Sequence, residues 1–127
     1  MPDKKTPAPL SSAENLFVFP ETLSSGGGEF FETIACANGN ARIERIVSYG
    51  HVSPEGFWYD QDEDEWVLIL EGSARIDFAD GTEVAMEKGS HLLLPRHVPH
   101  RVARTSSPCI WLAVFADSLS RCPDNNF

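Results

Sequence analysis

The chain has 127 residues and a formal net charge of −9, from 19 acidic against 10 basic side chains. That length fits one domain whose core needs no disulfide support. The acidic balance excludes a nucleic-acid backbone as partner, because that contact takes a basic stripe.

Residues 1–15 are rich in Pro, Ser and polar side chains and read as a disordered or loosely attached arm. Leu16-Phe17-Val18-Phe19 is apolar and reads as an edge strand or a segment pinned onto the wall of the domain. Ser24-Ser25-Gly26-Gly27-Gly28 is a flexible loop. Glu29 to Ala37 carries Phe30, Phe31 and Ile34, a pattern open to a short helix or a strand, and Asn38-Gly39-Asn40 turns the chain. Arg42 to Ser48 partly alternates and reads as a strand ending near Gly50. Ser53-Pro54-Glu55-Gly56 is a turn, and Phe57-Trp58-Tyr59 is strand-like.

The acidic run Asp62-Glu63-Asp64-Glu65 follows, its first three members expected in a solvated loop. Trp66 to Leu70 is apolar without a break, as in a strand buried on both faces. One face would line a lumen, and the other would need a second sheet or a second subunit. Ala74 to Phe78 and Glu83 to Met86 flank Asp80-Gly81, the signature of a β-hairpin. Leu92-Leu93-Leu94 is stopped by Pro95, which lacks the ladder donor. His100 to Arg104 and Ile110 to Phe115 complete the strands, and residues 117–127 read as a tail. Short strands at regular spacing with Gly and Pro turns indicate an all-β sandwich or barrel over residues 16–116.

Cys36, Cys109 and Cys122 form no Cys-x-x-Cys pair. An odd, unclustered set reads as reduced thiols in a cytoplasmic protein, with Cys36 and Cys109 in or near the core. No segment is apolar and long enough to span a membrane, and Met1-Pro2-Asp3-Lys4-Lys5 does not lead into a secretory h-region.

Two motifs carry the functional reading. Glu65 is followed after an apolar run by Gly72, and Gly89 is followed by Pro95 and then His100. In this order they resemble the paired motifs of the cupin superfamily, and the wording is similar to small bacterial single-domain cupin-2 proteins. The resemblance runs from Leu16 to Phe115. It implies a jelly-roll barrel (a double-stranded β-helix), a homodimer, a small-molecule ligand and a divalent transition metal (Fe, Mn, Ni, Cu or Zn) at the mouth. The family spans many activities, so fold alone does not fix function. The usual first motif has two histidines shortly before the Glu. Here those positions fall at Tyr59 and Gln61, or at Trp58 and Asp60 in a shifted register, and none is histidine.

The ligand set implied by transfer is therefore Glu65 and His100, with His97 and Gln61 as completing donors and Asp60 and His51 as reserves. Glu65 is expected to point inward with Val67 and Ile69, because alternate strand residues share a face. A carboxylate buried there needs a cation or hydrogen-bond donors. Glu65 and Tyr59 are the candidate catalytic groups, and Tyr59, Gln61, His100, Val67 and Phe78 the candidate substrate contacts. Val67, Ile69, Ile76, Phe78 and Leu93 or its neighbours are expected to line the lumen, with Trp66, Leu68 and Leu70 facing away. A metal there would polarise a substrate oxygen or activate water or dioxygen, and Glu65 would be an alternative base. The competing reading is a metal-free binding or dimeric interaction module. No nucleophile elbow and no phosphate loop is present.

Overall fold

A computed structural model describes residues 13–19 and 28–122. Most of the expected arm over 1–15, most of the Ser24 to Gly28 loop and the end of the tail lie outside the described residues. Eight strands follow in order: β1 (Glu29–Cys36), β2 (Arg42–Ser48), β3 (Asp64–Glu71), β4 (Ser73–Phe78), β5 (Glu83–Glu87), β6 (His91–Leu94), β7 (His100–Thr105) and β8 (Cys109–Ala116). They form two antiparallel sheets, ordered β1-β2-β8-β3-β6 and β5-β4-β7. Among the described residues no helix is long and apolar enough to cross a membrane.

The sheets face each other across a core drawn from alternate residues of each strand. Val67 and Ile69 of β3, Ile76 of β4, Val102 of β7 and Trp111 and Ala113 of β8 are all buried in it. Leu94, rather than Leu93, is the β6 residue in the core. Leu93 pairs with Trp66 on the opposite face, as the two-residue strand period requires.

The turns explain the motif glycines. Gly72 joins β3 to β4 at φ +91°, and a Cβ there would meet the Ser106 side chain and sit 2.6 Å from the Pro108 carbonyl oxygen. Only glycine fits that approach. In the β4–β5 hairpin, Asp80 accepts the Thr82 amide at 2.9 Å and Gly81 adopts φ +96°.

Several expectations change with the tertiary structure. Glu29 to Cys36 is a strand, paired with β2 from Glu29↔Ser48 to Cys36↔Arg42. Cys36 is exposed, because it lies at the end of an edge strand, whereas Cys109 is buried as expected. Phe57-Trp58-Tyr59 forms only an isolated bridge, Tyr59↔His100. Asp64 is buried rather than solvated, since it accepts the Arg96 amide at 2.7 Å and the Leu119 amide at 2.8 Å. Those bonds hold its carboxyl below the usual carboxylate range, the Leu119 amide most strongly.

The outer face of the large sheet is partly covered by the chain's own ends. Arg45 donates to the carbonyls of Leu16 and Val18, both at 2.9 Å, and pairs with Glu32. The Leu16 to Phe19 segment is thus pinned to the wall and is not an edge strand. At the other end Leu119 shares a shallow hollow with Trp66, Leu93 and Val114.

Candidate functional site

A cavity of about 120 Å³ lies between the sheets. Its apolar wall includes Ile46, Val67, Ile76, Leu94, Trp111 and Phe115, and its polar groups are Glu29, Tyr59, Gln61, Glu65 and His100. The strands place these side chains. Glu65 opens the inward face of β3 and lies opposite Leu94 on one side and Phe115 on the other. His100 begins β7, and its backbone is bonded to Tyr59 in both directions, at 2.7 and 3.1 Å. That bridge brings the two rings together, stacked with centroids 5.4 Å apart.

Glu65 is 7% exposed and has no ion-pair partner among the described residues. Burial pushes its carboxyl up to about 7, opposed chiefly by a hydrogen bond from the Gln61 side chain. It therefore exchanges its proton near neutral pH. Burial pushes the His100 imidazole below its ordinary value, so the ring is neutral at pH 7. His100 Nδ1 lies 3.2 Å from the Val98 carbonyl oxygen, which assigns the proton to Nδ1 and leaves Nε2 for an occupant of the cavity. The Tyr59 hydroxyl is pushed up by burial first and then by the Glu29 and Glu65 charges, so it stays a donor.

The second carboxyl, Glu29, is one the sequence reading does not find. The β1–β2 register places it beside Ser48. Trp111 Nε1 donates to Ser48 Oγ at 3.1 Å, Ser48 Oγ lies 3.4 Å from Glu29 Oε2, and His51 Nε2 lies 3.4 Å from Glu29 Oε1. Burial raises the Glu29 pKa, and His51 and Ser48 oppose it. No local motif marks Glu29, because its neighbours here come from β2, β8 and the loop after β2. His51 accordingly sits beside Glu29 and does not itself line the cavity.

Three candidate residues are placed elsewhere. His97 turns outward, more than half exposed, with Nδ1 2.7 Å from Asp60 Oδ1 and Nε2 3.5 Å from Asp62 Oδ1. Its φ of +59° lies in the left-handed region that glycine adopts most readily. The Val98-Pro99 turn therefore does not carry His97 and Asp60 to the cavity, and neither lines it. Phe78 packs behind His100 at 6.4 Å between ring centroids and against the core, outside the cavity lining.

The donors lining the cavity are one imidazole, His100, two carboxyls, Glu65 and Glu29, the second already engaged by Ser48 and His51, the Gln61 amide, and a phenol held protonated. Among the described residues no three His, Cys, Asp or Glu side chains converge as a metal set. This donor set, with a single imidazole, does not fit the three-histidine, one-carboxylate pattern of the cupin motifs.

The Cupin_2 family model, described as a cupin domain, matches residues 46–115, from the middle of β2 through β8. This chain belongs to the cupin family. The cupin is similar to the crystal structure of a candidate mannose-6-phosphate isomerase from Ralstonia eutropha JMP134, at 40% identity and TM-score 0.75, over 84% of this chain and 99% of that one. An RmlC-like cupin from Desulfovibrio desulfuricans aligns at 17% identity and TM-score 0.61, over 87% and 99% of the two chains. An RmlC-like cupin from Shewanella frigidimarina aligns at 19% identity and TM-score 0.60, over 74% and 80%. The last two likenesses show the fold alone. No curated protein matches the sequence.

Proposed function

We propose that this cupin binds a small organic molecule in its lumen without a metal, and that Glu65, His100 and Tyr59 handle the protons of the bound molecule. The observation that carries this reading is the unpaired, buried carboxyl of Glu65 facing the same cavity as a neutral imidazole. A buried carboxyl without an ionic partner favours an occupant that supplies a donor or a charge. At neutral pH Glu65 can give or take a proton, His100 Nε2 can accept one, and the Tyr59 hydroxyl can donate a hydrogen bond. Gln61 lines the same cavity as Glu65, and Val67 and Trp111 exclude water from one wall.

The name of the Ralstonia protein would bring a phosphorylated sugar to this site. No described lining residue is Lys or Arg. The nearest guanidinium, Arg42, stacks 4.2 Å above the Phe115 ring and is committed to Glu44 and Glu63 at 2.8 Å each. A phosphate in the lumen would lack a counter-charge, so we do not carry that substrate over.

We also propose that the half-buried apolar strip of Leu68, Leu70 and Leu112 on the outer face seats a second copy of the chain. The three cysteines are free, which supports residence in a reducing compartment such as the cytoplasm.

The test is elemental analysis of protein purified without a chelating column, together with a fragment screen by ligand-observed NMR with and without EDTA. Substoichiometric metal and chelator-insensitive hits that are lost in His100→Ala are expected. Near-stoichiometric transition metal, or loss of every hit on chelation, would overturn the metal-free reading.

A further inference from the structure

The occupant of the lumen can be narrowed by charge, an inference that rests on the small-molecule reading above. Two carboxyls, Glu29 and Glu65, line one cavity together with Tyr59. Among the described residues Glu65 has no ion-pair partner, and Glu29 has only the His51 imidazole beside it, at 3.4 Å. The remaining wall is aromatic and aliphatic, with Phe31, Tyr59, Trp111 and Phe115 around the polar groups. Trp111 is oriented by its bond to Ser48, and Phe115 already accepts one cation on its face, the Arg42 guanidinium. Aromatic faces and two carboxyls, one of them without an ionic partner, in one small cavity are complementary to positive charge attached to an apolar body. An anion would meet two like charges and no Lys or Arg among the described lining residues. A neutral alcohol would satisfy one carboxyl at most.

We infer that the lumen takes a small organic cation, an alkylammonium, whose charged head lies between Glu65 and Glu29 and whose alkyl part packs against Val67, Trp111 and Phe115. A cation arriving there supplies the ionic partner that Glu65 lacks. Its ammonium hydrogens donate to the two carboxylates, while the alkyl body replaces water against the apolar wall.

Three probes of one shape separate the possibilities: n-butylamine, present as butylammonium, 1-butanol and butyrate, titrated at pH 8, where Glu65 is mostly ionised. Butylammonium is expected to bind about tenfold more tightly than butanol, a gap in the range of cation–aromatic and charge-assisted contacts, and butyrate most weakly. In the Glu29→Gln/Glu65→Gln double variant that preference for the amine should disappear while butanol still binds. The wild-type series decides the question even if the double variant does not fold. Butanol or butyrate binding as tightly as the amine would overturn the cation and leave the small-molecule reading standing. No binding by any of the three, in a protein that still takes fragments at the lumen, would also overturn the cation. A lumen that accepts no probe and no fragment would overturn both.

Discussion

Glu65→Gln is the substitution whose consequence follows most directly from the structure. The wild-type carboxyl is held at about 7 in the folded protein, against an ordinary value of 4.5. Below pH 4.5 it is protonated in both folded and unfolded chains and contributes no pH dependence. Between pH 4.5 and about 7 the folded chain holds a proton that the unfolded chain has released, so folding stability falls as pH rises. Above pH 7 the loss is complete. The size is the gap between about 7 and 4.5 multiplied by about 1.36 kcal/mol per pH unit, or at most about 3 kcal/mol. Glutamine keeps the shape but has no charge to desolvate. His100 acts in the opposite sense, because its lowered pKa makes stability rise with pH up to about 6.5. It is present in both proteins and largely cancels in the difference. Urea unfolding of wild type and Glu65→Gln at several values from pH 5 to pH 8 gives that difference directly. The variant should gain on wild type by about 2–3 kcal/mol across the range. A difference that stays flat from pH 5 to pH 8 would mean that Glu65 is solvated or ion-paired, and the reasoning about the site would fail with it.

Three further outcomes are expected. Gly72→Ala should cost about 2–4 kcal/mol in urea unfolding, since a Cβ at φ +91° must displace the Pro108 backbone. Gly89→Ala, at φ +89° but with open space around it, should cost only about 1 kcal/mol. Equal losses would remove the close-approach argument. Asp64→Ala leaves the Arg96 and Leu119 amides without their acceptor, so limited proteolysis should cut sooner near residues 117–122; unchanged protection would show that other contacts hold this segment. Sedimentation should find wild type as a dimer and Leu68→Glu as a monomer, and a monomeric wild type would end the proposal for the outer face.

The local chemistry of the sequence determined the strands of the barrel. Unbroken apolar runs at Trp66 to Leu70 and Ile110 to Phe115, the Asp80-Gly81 turn and the stop at Pro95 act through nearest neighbours, and such signals survive without a partner strand. The inward direction of Glu65 was legible for the same reason, since it follows from the two-residue period and the run after it. The place of Ile46 in the cavity wall was not legible, nor were the positions of Glu29 and His51. Glu29 meets Ser48, Trp111 and His51 only because β1 pairs with β2 and β2 pairs with β8. Register between strands distant in sequence leaves no mark on any one of them.

The same limit applies to His97 and Asp64. Spacing put His97 three residues from His100 and left open whether the turn between them would bring both to one side. The backbone at φ +59° turned the ring outward to Asp60 instead. The acidic run made Asp64 look solvated, yet two amides from residues 32 and 55 positions away consume its oxygens. Residue type and periodicity therefore set which strands form and which side chains point inward. Long-range pairing decided which inward-pointing groups share a space, and hence that Glu65, His100, Tyr59 and Glu29 line one cavity while His97 and Asp60 stand outside it.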